Sequence, residues 1–220
     1  MHDIYFDYLR FALSRNYLNF SFLQLFAFVL LCEDHELRNE LNFEYVMVDE
    51  FQDSSEIQFK LALLLSNTNN ICVVGDWKQS IYSFQYAAVE NILEFRDRLS
   101  KFASELNSDH TRITYDTSTV QDIKLKENYR STQTILNFSE KSLVTPAAKY
   151  DSVDVDSVAN RIVHLNSNAD HDNSIIRSVQ HEEEHEALLT AIDEIVGNSE
   201  YLVDGEDGSR RPPKYRDITV

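Results

Sequence analysis

The sequence predicts an α/β protein, a parallel sheet flanked by helices and entered through a helical lead-in. Two short apolar runs, Tyr45-Val46-Met47-Val48 and Ile71-Cys72-Val73-Val74, are partly β-branched and end in Asp49-Glu50 and Gly75-Asp76. This is the pattern of buried parallel strands whose C-terminal ends face a ligand. Ahead of them, from Tyr5 to about Leu41, Leu9, Leu13, Phe22, Leu25, Phe26, Val29 and Leu30 recur at helical spacing with no Gly or Pro. After each run comes a helical stretch, 55–65 and then 89–106, the second with Ile92, Phe95 and Leu99 on one face.

Further along, 107–122 is polar and turn-rich, and a domain boundary is placed there because Ile123-Lys124-Leu125 reads as a new strand. A helix is expected from about Thr132 to Val144, stopping before Pro146, then an acidic linker over 147–160. Arg161-Ile162-Val163-His164-Leu165 reads as another strand, Glu182–Val196 as an amphipathic helix with Gly197 as its C-cap, and 204–214 as a loop.

The 220 residues suffice for one large or two small domains, and 43% hydrophobic with 11% aromatic content excludes a disordered chain. A formal net charge of −17 is unexpected for a protein that grips nucleic acid. Three arrangements accommodate it: a basic track elsewhere in a larger protein, a local basic groove on an acidic body, or an acidic surface adapted to a salty cytoplasm. Cys32 and Cys72 lie in apolar text and read as buried, reduced thiols of a cytoplasmic protein. The most apolar stretch, 20–31, is too short to span a bilayer, and no signal peptide is expected.

Three blocks carry the chemistry: Val48-Asp49-Glu50-Phe51-Gln52-Asp53, Gly75-Asp76-Trp77-Lys78-Gln79-Ser80-Ile81-Tyr82, and Glu127-Asn128-Tyr129-Arg130-Ser131. An acidic pair at a strand end suits a nucleotide hydrolase, one carboxylate for magnesium and one for the attacking water. An aromatic ring beside an arginine suits a purine base and a phosphate.

In this order the blocks resemble motifs II, III and IV of the UvrD/Rep type of superfamily 1 DNA helicases. Flanking text such as Ala88-Val89-Glu90-Asn91-Ile92 and Thr134-Ile135-Leu136-Asn137 extends the similarity from about Phe20 to the last residue. The resemblance implies partial tandem RecA-like lobes: a lead-in over 1–44, the C-terminal part of a first lobe over 45–122, and the N-terminal part of a second over 123–220. It assigns Asp49 to Mg2+, Glu50 to activating water, Gln79 to sensing the γ-phosphate, Tyr129 to stacking on adenine, and Arg130 to reaching the γ-phosphate. Phe84, with Tyr82 and Tyr86 beside it, would stack on unpaired bases. Here the chain departs from the family, having Gln85-Tyr86 where Arg-Gly is usual. The implied activity is ATP-driven movement on single-stranded or partly duplex DNA, 3′ to 5′, with DNA repair as its setting.

The chain has 4 Gly, the first being Gly75, and none stands in the phosphate-binding pattern G-x-x-x-x-G-K-[ST]. It therefore reads as an internal piece of a larger helicase, inactive alone and completed by the remaining lobes of its parent. A different class stays open: a non-catalytic remnant or regulatory piece with the helicase fold. A third is a zinc-dependent hydrolase, because His181-Glu182-Glu183-Glu184-His185 satisfies H-E-x-x-H. Its acidic run also suits a helix N-terminus facing the helix dipole.

Overall fold

The computed structural model describes residues 2–80, 88–144, 160–169, 176, 183–205 and 208–219. It is a mixed α/β protein whose contacts divide it into two compact units, 1–122 and 123–220.

In the first unit the apolar lead-in forms three helices, α1 (His2–Ser14), α2 (Phe20–Glu33) and α3 (His35–Leu41). Local chemistry separates them. Asn16 adopts a left-handed φ of 57°, a conformation Asn tolerates, and ends the turn after α1. Asn19 and Asp34 then cap α2 and α3, their side-chain oxygens accepting the N–H groups of Phe22 (2.8 Å) and Leu37 (2.9 Å). β1 (Val46–Val48) and β2 (Ile71–Val73) pair in parallel, with Val46 opposite Ile71 and Val48 opposite Val73. Between them α4 (Glu56–Leu65) starts at a full capping box, in which Ser55 and Gln58 satisfy each other's backbone N–H.

The expected helix over 89–106 breaks at Glu94 (φ −118°, ψ 33°) into α5 (Glu90–Leu93) and α6 (Phe95–Leu106). α2 and α6 both pack on α4, and the core is Leu31, Phe51, Phe59, Leu63, Leu64, Leu99, Phe102, Leu106 and Ile113. The polar stretch after α6 is built on Asn107. Its carbonyl oxygen accepts the N–H groups of Arg112 and Ile113 (both 2.8 Å), and its amide donates to Ile113 O (2.9 Å). Tyr115 donates its hydroxyl to Leu63 O at 2.8 Å, and burial pushes its phenol pKa up.

The second unit holds β3 (Glu127–Asn128) in parallel with β4 (Asn166–Ser167), α7 (Gln133–Val144), α8 (Glu184–Ile195), and an antiparallel pair, β5 (Val203–Asp204) with β6 (Arg210–Arg211). Gly197 follows α8 at φ 75° and donates its N–H to Pro213 O at 2.9 Å, the helix end expected of it.

Four sequence expectations are corrected. Ile123-Lys124-Leu125 is not a strand; Ile123 and Leu125 are 70% and 72% exposed and no neighbouring strand pairs with them among the described residues. The pairing begins instead at Glu127. Residues 162–165 are irregular, and the strand in this stretch is Asn166–Ser167. The stretch 204–214 is no simple loop, since it carries β6 and contributes to a hairpin. Cys72 is exposed rather than buried, because β1 and β2 are covered on one face only, and Met47 opposite it is 78% exposed. Both cysteines are free, as expected. The 147–160 linker lies, apart from residue 160, outside the described residues. Among the described residues no helix is long and apolar enough to cross a membrane.

Arg112 closes the first unit. Its guanidinium donates to Cys32 O (3.0 Å) at the end of α2, to Leu106 O (2.7 Å) at the end of α6, and to the Asp109 carboxylate. That pairing holds the Asp109 carboxyl well below the usual carboxylate range. In the unfolded chain Asp109 regains its ordinary value near about 4, so the native state binds the proton less readily. The pair therefore stabilises the fold above that value and loses its contribution as pH falls toward the native one. Asp109→Asn is accordingly expected to be less stable than wild type at neutral pH. The difference in denaturant midpoint should close as pH falls below about 3; a difference independent of pH would contradict the assignment.

Candidate functional site

The strand ends of the first unit are stitched together. Val74 donates its N–H to Val48 O (2.8 Å) and Phe51 donates its N–H to Val74 O (2.9 Å), so Asp49 and Glu50 sit in a tight exit between two fixed points. Glu50 is left-handed (φ 49°, ψ 42°), and its N–H is accepted by Asp49 Oδ1 at 2.9 Å. A non-glycine residue held there costs of order 1–3 kcal/mol, a strain that recurs at functional sites. Both carboxylates remain exposed.

Gln52 lies under them, 1% exposed. Its Nε2 donates to Glu50 Oε2 at 2.8 Å, and its Oε1 accepts the Asp76 N–H at 3.0 Å. Ser80 Oγ donates to the Gln52 carbonyl at 3.3 Å. Asp76 then organises the second block. One carboxylate oxygen accepts from Lys78 N (3.1 Å) and Nζ (2.8 Å), and the other from Gln79 Nε2 (3.1 Å). Burial raises the Asp76 carboxyl pKa, but the hydrogen bonds from Lys78 and Gln79 outweigh it and hold the group below its ordinary value. Glu50, Gln52, Asp76 and Gln79 thus form one hydrogen-bonded series across the ends of β1 and β2.

A second buried network anchors the exit from behind. Asn91, fully buried at the start of α5, donates Nδ2 to Ser54 O (2.9 Å) and Ser54 Oγ (3.2 Å), and its Oδ1 accepts from Arg98 (3.1 Å). Asp53 Oδ1 is buried with no hydrogen-bond partner among the described residues. Sequence reasoning missed the roles of Gln52, Asn91 and Lys78. The partners of the first two are more than 20 positions away, Gln52 to Asp76 and Asn91 to Ser54, and no local periodicity signals such contacts.

In the second unit, Asn128 Oδ1 accepts the N–H groups of Arg130 (3.0 Å) and Ser131 (2.7 Å), a turn that leaves Tyr129 and Arg130 exposed. Tyr82 and Phe84 lie outside the described residues, as do His181 and Glu182 of the H-E-x-x-H pattern. His185 is exposed on α8, and among the described residues no three His, Cys, Asp or Glu side chains converge on a metal position. His164 pairs with Glu140 at 2.9 Å.

The first unit is thus a mixed α/β body with an acidic pair presented at the ends of parallel strands. Comparison with known proteins finds a likeness over this part of the chain: residues 1–100 match the family model of the UvrD/REP helicase N-terminal domain. The match begins ahead of Phe20, so α1 is part of it. The chain is 37% identical over 139 residues to a probable DNA helicase II homolog of Mycoplasma capricolum, covering 62% of this chain and 17% of that protein. It is 36% identical over 139 residues to the exonuclease/helicase subunit RexA of Lactococcus lactis, covering 62% of this chain and 10% of that protein. It is 43% identical over 96 residues to the ATP-dependent DNA helicase PcrA of Staphylococcus aureus, covering 43% of this chain and 11% of that one. The chain therefore spans no more than about a sixth of the length of these relatives.

Proposed function

We propose that this chain contributes the hydrolytic edge of an ATP-dependent DNA helicase or translocase. Its two units would be the C-terminal part of one RecA-like lobe and the N-terminal part of a second. The observation that carries the reading is the hydrogen-bonded series Glu50–Gln52–Asp76–Gln79, lying within the stretch that matches the helicase domain. Glu50 is the base that orients and deprotonates water, and Gln79 is the amide that exchanges its Asp76 contact for a γ-phosphate oxygen. Tyr129 supplies a face for adenine and Arg130 the countercharge. The aromatic residues Tyr82 and Phe84 carry contact with single-stranded DNA, and movement is 3′ to 5′.

The donor set suits magnesium. Mg2+ is held by one or two carboxylates together with substrate phosphates and water rather than by an all-protein cage. Asp49 offers such a carboxylate, exposed beside Glu50, and no three-residue cage competes among the described residues. Bound there, the ion would neutralise charge on the phosphate oxygens.

The 220 residues contain no phosphate-binding loop, so the isolated chain is expected to hydrolyse no ATP above its Glu50→Gln control, with or without single-stranded DNA. Joined to such a loop in a complete motor, the same sequence should show DNA-stimulated turnover that Glu50→Gln lowers by about a hundredfold or more. Turnover indifferent to Glu50 would overturn the assignment. A second reading is a non-catalytic piece with the helicase fold. A completed motor that stays inactive would select it.

A further inference from the structure

We infer that Gln52 is a positioning residue of this site, fixing the Glu50 carboxylate and passing changes there to the turn that holds Gln79. Its consequence for hydrolysis rests on the reading of Glu50 as the base; the link itself does not.

The side-chain chemistry is selective. A carboxamide has an acceptor and a donor on one carbon, and here both are used. The neighbours fix which end is which, because the Asp76 N–H requires an oxygen and the Glu50 carboxylate requires an N–H. Gln52 is almost wholly buried, so water does not stand in for either partner. Its surroundings are shaped for it. A Cβ on Gly75 would lie 2.5 Å from Gln52 Oε1 and 3.1 Å from Gln52 N, so the absence of a side chain at Gly75 is what lets the carboxamide reach the Asp76 N–H. Glu50 is strained into the left-handed region at the other end of the same contact.

These contacts make a two-ended device. When the Glu50 carboxylate turns toward another partner, Gln52 Nε2 loses its acceptor. The amide can then keep its bond to Asp76 only in a changed orientation. Asp76 in turn holds Gln79 Nε2, so the disturbance arrives at the residue assigned to sense the nucleotide. A buried amide that only satisfied itself would leave Glu50 and Gln79 independent.

The test is a double-mutant cycle read by NMR on the 220-residue chain, with no nucleotide present. Glu50→Gln is expected to move the Gln79 side-chain amide and Asp76 backbone amide resonances when Gln52 is intact. In a Gln52→Met background the same substitution should leave both where they are. Gln52→Leu, which likewise lacks both the donor to Glu50 and the acceptor for Asp76, should cut the link equally and serves if Gln52→Met does not fold. A Gln79 response of the same size in these backgrounds, or no response to Glu50→Gln in the wild type, overturns the inference. Because ATP is absent, failure of Glu50 as a hydrolytic base would appear only in the turnover measurement.

Discussion

Phe59→Ala is expected to destabilise the first unit by about 3–5 kcal/mol, the range for truncating a fully buried aromatic side chain. Phe59 is the hub of the core. It stacks on Phe95 at 5.3 Å between ring centroids (11° between planes) and meets Phe51 and Phe102 edge to face at 5.0 and 5.3 Å. Removing the ring leaves three other aromatic rings facing a void, and the side chains around it sit on α4, α6 and the turn after β1, which cannot all close in together. Trp77, the one tryptophan of the chain, lies in this unit and makes its fluorescence a local reporter. The urea midpoint should fall sharply for Phe59→Ala. It should stay within about 0.5 kcal/mol of wild type for Met47→Ala on the open face of β1. Similar midpoints for the two variants would mean that the aromatic cluster does not hold the unit. The effect reaches the site, because Phe51 is both a core ring and the residue between Glu50 and Gln52.

What the sequence made legible follows from the range over which each signal acts. β1 and β2 were readable because a short apolar run ending in a carboxylate or Gly-Asp needs only its own residues to be recognised, and α4 because the Ser55–Gln58 box lies within one turn. Ile123-Lys124-Leu125 and 161–165 have the same local composition but, among the described residues, no strand pairs with them, and β propensity does not register pairing. Cys72 was misplaced because alternation along a strand does not say whether both faces are covered. The acidic pair and the Gly-Asp turn were legible as separate blocks. Their connection through Gln52 was not, since it spans 24 positions and depends on the space left at Gly75.

Arg130→Ala, in a complete motor with its phosphate-binding loop, is expected to lower ATP turnover by about a thousandfold or more, the scale of an arginine that neutralises charge developing on the γ-phosphate. A local alternative is that Arg130 pairs with Glu127. The structure gives that carboxylate other partners, the side-chain amides of Asn166 (3.3 Å) and Asn168 (2.6 Å). Among the described residues no ion pair or side-chain hydrogen bond engages Arg130, while Asn128 fixes its backbone N–H at 3.0 Å. The residue is thus held by its main chain and free at its guanidinium, which is what an arginine acting on a ligand requires. Its removal should leave stability within about 0.5 kcal/mol of wild type, as for other exposed positions without structural partners. Arg130→Lys should recover little of the lost rate, because a compact ammonium does not reproduce the planar fork that engages two phosphate oxygens. Steady-state hydrolysis with saturating DNA, paired with thermal unfolding, separates the outcomes. A large loss of stability with a proportionate loss of rate would make Arg130 a structural residue, and unchanged turnover would remove it from the site.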